Sequence, residues 1–268
     1  MDIVARSVSE LIDLVALSDN HGTHEKDFKH MHFSNELVYF LNGSVKYMID
    51  GQTYIIQPHD IVLIPKGTYH NMINESTAPH ALHVINFYDE LLPENLLTRL
   101  LTPPFVFNIR NDPHIPHIFD LLKYVFTNYN KEDIPYSANS VVKELLTYCS
   151  YISRVSFSVA GQNPLVEKIV EYVSSHIEEK LDADIISANL NMSPSHIQNT
   201  FSEHMKIGLK QYITEKKIMA AQSDLLAGMP AVNVSMKYHF NDYSTFWRLY
   251  KKSFGVPPSS CKKRYEAK

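Results

Sequence analysis

Two stretches in the C-terminal third of the chain repeat one another. Ile186-Ser187 recurs as Val234-Ser235, and Met192 as Phe240, at a spacing of 48 residues. Past the turn the spacing becomes 49, where Ile197 answers to Phe246, Phe201 to Tyr250 and Met205 to Phe254. One inserted turn residue accounts for the step. Each copy reads as a short helix, a turn and a second amphipathic helix, which confines this region to a duplicated all-helical unit.

The starts of the second helices fit this reading. In "NMSPSHIQNTF", Ser193 is placed to cap and Pro194 to occupy the first turn, where no backbone donor is needed. In "FNDYSTFWRLYKK", Asp242 takes the capping position. With Ile197 and Phe201, or Phe246 and Tyr250, turned inward, the outward residues are Ser195, Gln198 and Asn199 in one copy. In the other they are Ser244, Thr245, Trp247 and Arg248. Gln and Asn side chains pair with adenine edges, and Arg pairs with guanine. Between the copies, "LKQYITEKKIMAAQSDLLAG" reads as one helix ended by Gly228, with Pro230 just beyond. Such a helix would hold two readers at a fixed separation, suited to successive major grooves roughly 34 Å apart.

Charge points the same way. The chain of 268 residues carries a net charge of −4, but from Phe201 onward there are 12 Lys and Arg against 5 Asp and Glu. A basic end on an otherwise acidic protein fits a polyanionic partner for that end. Two cysteines, Cys149 and Cys261, are too few for a disulfide framework. The N-terminal apolar run is interrupted by acids, so neither a signal peptide nor a membrane span is read there, and a cytoplasmic location without membrane association is expected.

The N-terminal half follows another pattern. From about residue 28 to 88 short apolar runs alternate with turns: "VKYMI" and "TYIIQ" flank Asp50-Gly51, a strong hairpin signal. Such a run of strands fits a sandwich or small barrel. Within it, His30 and His32 share one face of a strand, Glu36 follows in phase, and His70 follows the turn "PKGTY". Three imidazoles and a carboxylate suit a first-row divalent metal, or the polar lining of a small-molecule pocket. Tyr39, Tyr47, His83 and Phe87 are further candidates to line it.

Between the halves lie two helical patterns, residues 115–130 and 138–154, with stripes Ile118, Leu121, Leu122, Val125 and Val142, Leu145, Leu146, Cys149, Ile152. These stripes would either cover the barrel or form a dimer interface; a two-helix dimerisation element is the reading preferred. Residues 155–164, "VSFSVAGQNP", read as a linker. The expected division is 1–110 for the barrel, 111–162 for the dimerisation element and linker, and 163–268 for a DNA-binding domain.

Specific motifs carry a family resemblance over nearly the whole chain. "HMHFSNELVYFLNG" matches the cupin pattern H-x-H-x3-E-x6-G, and Pro65, Gly67, His70 and Asn74 match P-x-G-x2-H-x3-N; His59 stands where the second pattern opens with Gly. Residues 164–266 resemble the DNA-binding domain of AraC/XylS transcription regulators, through Phe240, Asp242, Ser244, Phe246, Arg248, Gly255 and Pro258. His239, Trp247, Lys217 and Cys261 depart from the usual glycine, small residue, arginine and tyrosine. A positive-φ turn is expected to strain at His239, and Cys261 to loosen the last helix.

The resemblance implies an α+β multidomain protein: an N-terminal cupin-like β-barrel with associated helices, then an all-α domain with two helix-turn-helix motifs. It implies a non-enzymatic transcription regulator binding a double-stranded operator and sensing a small molecule, acting as a homodimer, with RNA polymerase a further candidate partner. Ser195, Gln198, Asn199, Ser244, Thr245, Trp247 and Arg248 are the expected DNA contacts, with Lys251 and Lys252 on phosphates. His30, His32, Glu36, Tyr39, Tyr47, His70 and His83 are the expected effector contacts. The alternative is a metal-dependent cupin enzyme or metal sensor, with His30, His32, Glu36 and His70 as ligands and no other cofactor.

Overall fold

Strand parity divides the N-terminal half into two apolar cores. The computed structural model describes residues 3–6, 8–21, 29–73, 80–103, 105–109, 112–152 and 163–261. Its strands are β1 (Ile3–Arg6), β2 (Ile12–His21), β3 (Lys29–His30), β4 (Asn35–Asn42), β5 (Val45–Ile49), β6 (Gln52–Ile56), β7 (Asp60–Ile64), β8 (His70–Ile73), β9 (His80–Phe87) and β10 (Val106–Asn108). Six form one sheet in the order β1-β2-β9-β4-β7-β10, and four form a second in the order β3-β8-β5-β6. Side chains alternate along a strand, so β4 serves both cores. Val38 and Phe40 meet Tyr47, Ile49, Tyr54, Ile56, Val62, Ile64 and Leu82 between the sheets. Leu37 and Tyr39 face the other way, with Leu63, Ile85 and Phe87.

That second face is covered by helices: α1 (Glu94–Leu100), α2 (His114–Asn128) and α3 (Ile134–Tyr151). Ile115, Phe119 and Leu122 of α2, and Ala138, Val142, Leu145, Leu146 and Cys149 of α3, join the core beneath the six-stranded sheet. Each of the buried Ile, Leu, Val and Phe side chains among them contributes about 1.5–3 kcal/mol on leaving water. The apolar stripes are therefore used inside one chain, covering the sheet; the exception is Leu121, 48% exposed. The Tyr148 hydroxyl donates to Asp112 Oδ2 at 2.6 Å, tying α3 to the start of α2 and pushing the phenol up to about 12.

The turns follow the sequence closely. Asp50 and Gly51 both have positive φ, 42° and 87°, as a two-residue hairpin of the tighter primed type requires. His59, standing where the motif has glycine, takes φ 68°. Strands β1 and β2 lie before the stretch that reads as β in the sequence, because the partner of β2 is the distant β9 and a register shift between Ile12 and Leu14 breaks its alternation.

The C-terminal part is helical: α4 (Pro164–Ser175), α5 (Ala183–Leu190), α6 (Pro194–Met205), α7 (Leu209–Leu226), α8 (Ala231–Lys237) and α9 (Tyr243–Phe254). Its two copies repeat down to single hydrogen bonds. Met192 N donates to Ser187 O and Phe240 N to Ser235 O, each at 3.0 Å. Asn191 and His239 occupy the two turns with φ 54° and 53°. His239 thus does hold the left-handed conformation that glycine adopts without a Cβ clash. Ser193 and Asp242 cap α6 and α9, accepting from His196 N and Thr245 N. Cys261 is packed rather than loose: it is buried, and its thiol and the Tyr250 hydroxyl both donate to Gln222 Oε1.

By contacts the chain divides into two compact units, one comprising residues 1–49 and 53–160, the other residues 50–52 and 161–268. Asn163, inside the stretch read as a linker, caps α4 by accepting from Leu165 N and Val166 N. Asn74, residues 155–162 and residues 262–264 lie outside the described residues, as does the side chain of His30. Among the described residues no helix is long and apolar enough to cross a membrane.

Candidate effector and DNA-reading sites

At one end of the space between the sheets the apolar lining gives way to a polar cluster. Glu36 has the parity of Val38 and Phe40, and His70 pairs in register with Ile49, so both belong to the inner face. His32, Glu36 and His70 bring ligand atoms within 4.8 Å of one another. The His32 and His70 rings meet edge to face at 4.9 Å. Each imidazole has its Nδ1 on a backbone carbonyl: His32 on Ser34 O at 2.7 Å, His70 on Thr68 O at 2.9 Å. That leaves Nε2 as the atom each ring presents to the cluster, and His32 Nε2 lies 3.2 Å from Glu36 Oε2. Burial works to lower the His32 pKa, but the hydrogen bond and negative charge of Glu36, with the Ser34 carbonyl and the charge of Asp13, outweigh it and raise the value. His30 is the backbone partner of His70 in the β3–β8 ladder.

Three expected lining residues, Tyr39, His83 and Phe87, are elsewhere. Tyr39 and His83 pair across β4 and β9, but on the opposite face, beneath α2. Phe119 stacks on Tyr39 at 5.1 Å and meets His83 at 4.8 Å. The Tyr39 Oη also lies 2.9 Å from His59 Nδ1, and burial raises its pKa, with the charge of Asp120 adding. The correction follows from parity: residue 39 is odd where the inner residues 36, 38 and 40 are even, and Phe87 shares its fate. Tyr47 stays on the inner face. Conversely, Asn86 went unnoticed in the sequence. It stands opposite Glu36 in the ladder and is buried, with Oδ1 making no hydrogen bond among the described residues. The period-two pattern of "HALHVINF" places residues 82, 84 and 86 on one face, which is the signal that could have found it.

The donor set fits a divalent ion. Metal-binding histidines characteristically give their second ring nitrogen to a carbonyl or carboxylate, and both imidazoles here do so. Two imidazoles and one carboxylate match a first-row metal's preferences, with a small rotamer adjustment needed to bring atoms 4.8 Å apart onto one ion. The same cluster offers an organic ligand a carboxylate, an amide oxygen and two imidazoles against an apolar wall.

The expected DNA contacts lie along the first half of α6 and of α9, with Lys251 and Lys252 in the last turn of α9. Ser195, Gln198 and Asn199 are exposed on α6, and so is His196, which the sequence reading passed over. On α9, Ser244, Arg248, Lys251 and Lys252 are exposed, while Thr245 and Trp247 are half-buried. The Thr245 hydroxyl donates to Asp242 Oδ2 at 2.9 Å, so it is engaged by the cap. That donation, after the Thr245 backbone N–H, holds the exposed Asp242 carboxyl below its usual range. Lys251 Nζ sits 4.9 Å from the centre of the Trp247 ring.

Two capped helix-turn-helix units joined to a β-barrel with an inner polar cluster define a ligand-responsive DNA-binding protein. Comparison with known families agrees: residues 11–134 match an AraC-like ligand binding domain, and residues 186–264 match a helix-turn-helix domain. The chain belongs to the AraC family of transcription regulators. It is a sequence-specific DNA-binding regulator with an N-terminal ligand-binding domain. Curated relatives include the uncharacterized HTH-type transcriptional regulator YdiP of Escherichia coli, 20% identical over 88% of this chain and 81% of that protein. The arabinose operon regulatory protein of the same organism is 24% identical over 81% of this chain and 76% of its own length. The crystal structure of ToxT from Vibrio cholerae aligns over 93% of this chain and 96% of that one, at 15% identity and a TM-score of 0.38, a likeness too low to bear on the fold.

Proposed function

We propose that the chain reads its operator through the leading faces of α6 and α9 and changes that binding when a small molecule occupies the polar end of the barrel. The duplicated, capped helix pair carries this reading, because it leaves polar side chains outward at the same position of both copies. Gln198 and Asn199 read bases from the first unit and Arg248 from the second, while Ser195, Ser244 and Trp247 supply further contact and Lys251 and Lys252 meet phosphates. Thr245 acts mainly through the cap. The effector meets His32, Glu36, His70, Asn86 and Tyr47. A buried carboxylate beside an amide oxygen favours a ligand bearing hydrogen-bond donors. Binding, not turnover, is the barrel's task, and an effector acts only by favouring one state of the chain over another.

A second reading rests on one observation, the carbonyl-held Nδ1 atoms of His32 and His70: the sensed species is then a divalent metal. The residues His32, Glu36 and His70 would hold it, with His30 nearby in the ladder. Selection of DNA by the full chain from a random library, repeated with and without candidate effectors, tests the main reading. Recovery of an enriched site whose affinity shifts on effector addition supports it; no enrichment overturns it.

Homodimer formation is part of the same proposal. With the α2 and α3 stripes committed to the sheet, what supports it is the outward side of α2, where Leu121 and Tyr124 are 48% and 56% exposed. A dimer mass by sedimentation is expected, and a monomer at micromolar concentration refutes it. RNA polymerase remains the proposed partner at the promoter.

A further inference from the structure

We infer that Lys217 and Lys237 are positioning residues that lock the two DNA readers into one rigid unit and thereby set the spacing of the sites they recognise. The helix joining the readers, α7, spans 18 residues, about 27 Å. A helix alone fixes length but not the angle of what hangs from each end. Its ends are soft: Gly208 caps the start with no side-chain hydrogen bond, and Gly228 follows its last turn with φ 98°. Something else must stop the two units from swivelling.

Lys217 lies at the middle of α7 and is 6% exposed. Its Nζ donates to two backbone carbonyls, neither of them in α7. One is Glu179 O at 2.6 Å, in the turn between α4 and α5 that leads into the first reader. The other is Tyr238 O at 2.9 Å, at the end of α8, where the second reader makes its turn. One buried ammonium therefore bonds both halves at once. Buried charge of this kind is rare unless it is hydrogen-bonded, and here two of its three donors are taken up across the seam.

Lys237 makes a second bridge a short way off. From α8 its Nζ meets Glu178 Oε1 at 2.8 Å and Asp224 Oδ2 at 2.9 Å. These link the α4–α5 turn, the end of α7 and the second reader. Ile177, adjoining Glu178, packs against the apolar core of the second unit with Val234, Phe246 and Tyr250. Ile177 and Glu178 thus belong by sequence to the first half and by contact to the second. Neither lysine is placed to meet DNA: one is buried, and the other is held between two carboxylates. Their joint effect is on geometry.

The experiment uses the full chain and a duplex that it selects from random DNA, together with the same duplex carrying one base pair inserted between the two reader contacts. An inserted pair moves one contact by about 3.4 Å along the axis and rotates it around the duplex. The unaltered chain should lose about tenfold or more in affinity on insertion, comparable to a poor base match. Lys217→Met with Lys237→Ala should narrow that loss to about threefold or less, because the units can then adjust. Lys217→Arg, which keeps donors in place, should restore most of the discrimination. If Lys217→Met fails to fold by far-UV circular dichroism, Lys237→Ala alone should show an intermediate ratio. An unchanged ratio in the folded variants overturns the inference, and so does an unaltered chain that itself tolerates the insertion.

Discussion

Arg248 is bonded to Thr245 one turn earlier in its own helix. Its Nη2 donates to the Thr245 hydroxyl oxygen at 3.3 Å, and that hydroxyl donates in turn to the Asp242 carboxylate. The capping group, the threonine and the arginine form one chain along the leading face of α9. This holds an exposed guanidinium partly ordered before any DNA arrives, which lowers the cost of fixing it in a groove.

Arg248→Ala should therefore weaken specific operator binding by about 1–3 kcal/mol while leaving the thermal midpoint nearly unchanged, as a surface truncation does. Fluorescence anisotropy at one fixed salt concentration measures it. Unchanged affinity would mean that Arg248 points into solvent in the complex.

Lys251 and Lys252 are on the same helix, past the proposed reading residues. Operator affinity should fall steeply as salt rises, and changing either lysine to Gln should reduce the logarithmic salt slope by about one. A flat titration would remove phosphate contacts from the account.

In the barrel, parity makes a sharp distinction. His70→Ala should abolish effector response, and, if the sensed species is a metal, stoichiometric metal in elemental analysis as well. Tyr39→Phe, on the opposite face, should leave both intact and cost only about 1 kcal/mol for its lost hydrogen bond. Loss of response in the tyrosine variant, with His70→Ala still responsive, would reverse the assignment of the two faces.

The second turn carries the cost of a side chain with φ 53° at His239. His239→Gly should raise the stability of the chain in chemical denaturation by roughly 1 kcal/mol, because glycine lacks the Cβ that clashes in this region. Lower stability would show that the imidazole makes a compensating interaction in the folded state.

How much could be read beforehand differs between the two halves for a physical reason. The C-terminal elements were legible because their determinants are local. Ser193 and Asp242 cap the helices that follow them within three residues, and the spacing of Ile197, Phe201 and Met205 marks a buried stripe without reference to anything else. The Asp50-Gly51 turn is local in the same sense. By contrast, β2 takes its identity from β9, and whether α2 covers the sheet or stays free depends on Leu37, Tyr39 and Ile85 presenting an apolar face to it. Neither relation is written near the residues concerned.

The sequence by itself determined the duplicated helix-turn-helix, the hairpin turns and the motif whose His32, Glu36 and His70 form one cluster. Helix caps, turn residues and side-chain period act over a few residues, so they survive as pattern. Only the tertiary structure decided which face each strand residue serves, moving Tyr39 and His83 away from the cluster and bringing Asn86 beside Glu36. It alone also revealed that Lys217 joins Glu179 to Tyr238, because the pairing of an ammonium with distant carbonyls is settled by where the packed helices place them.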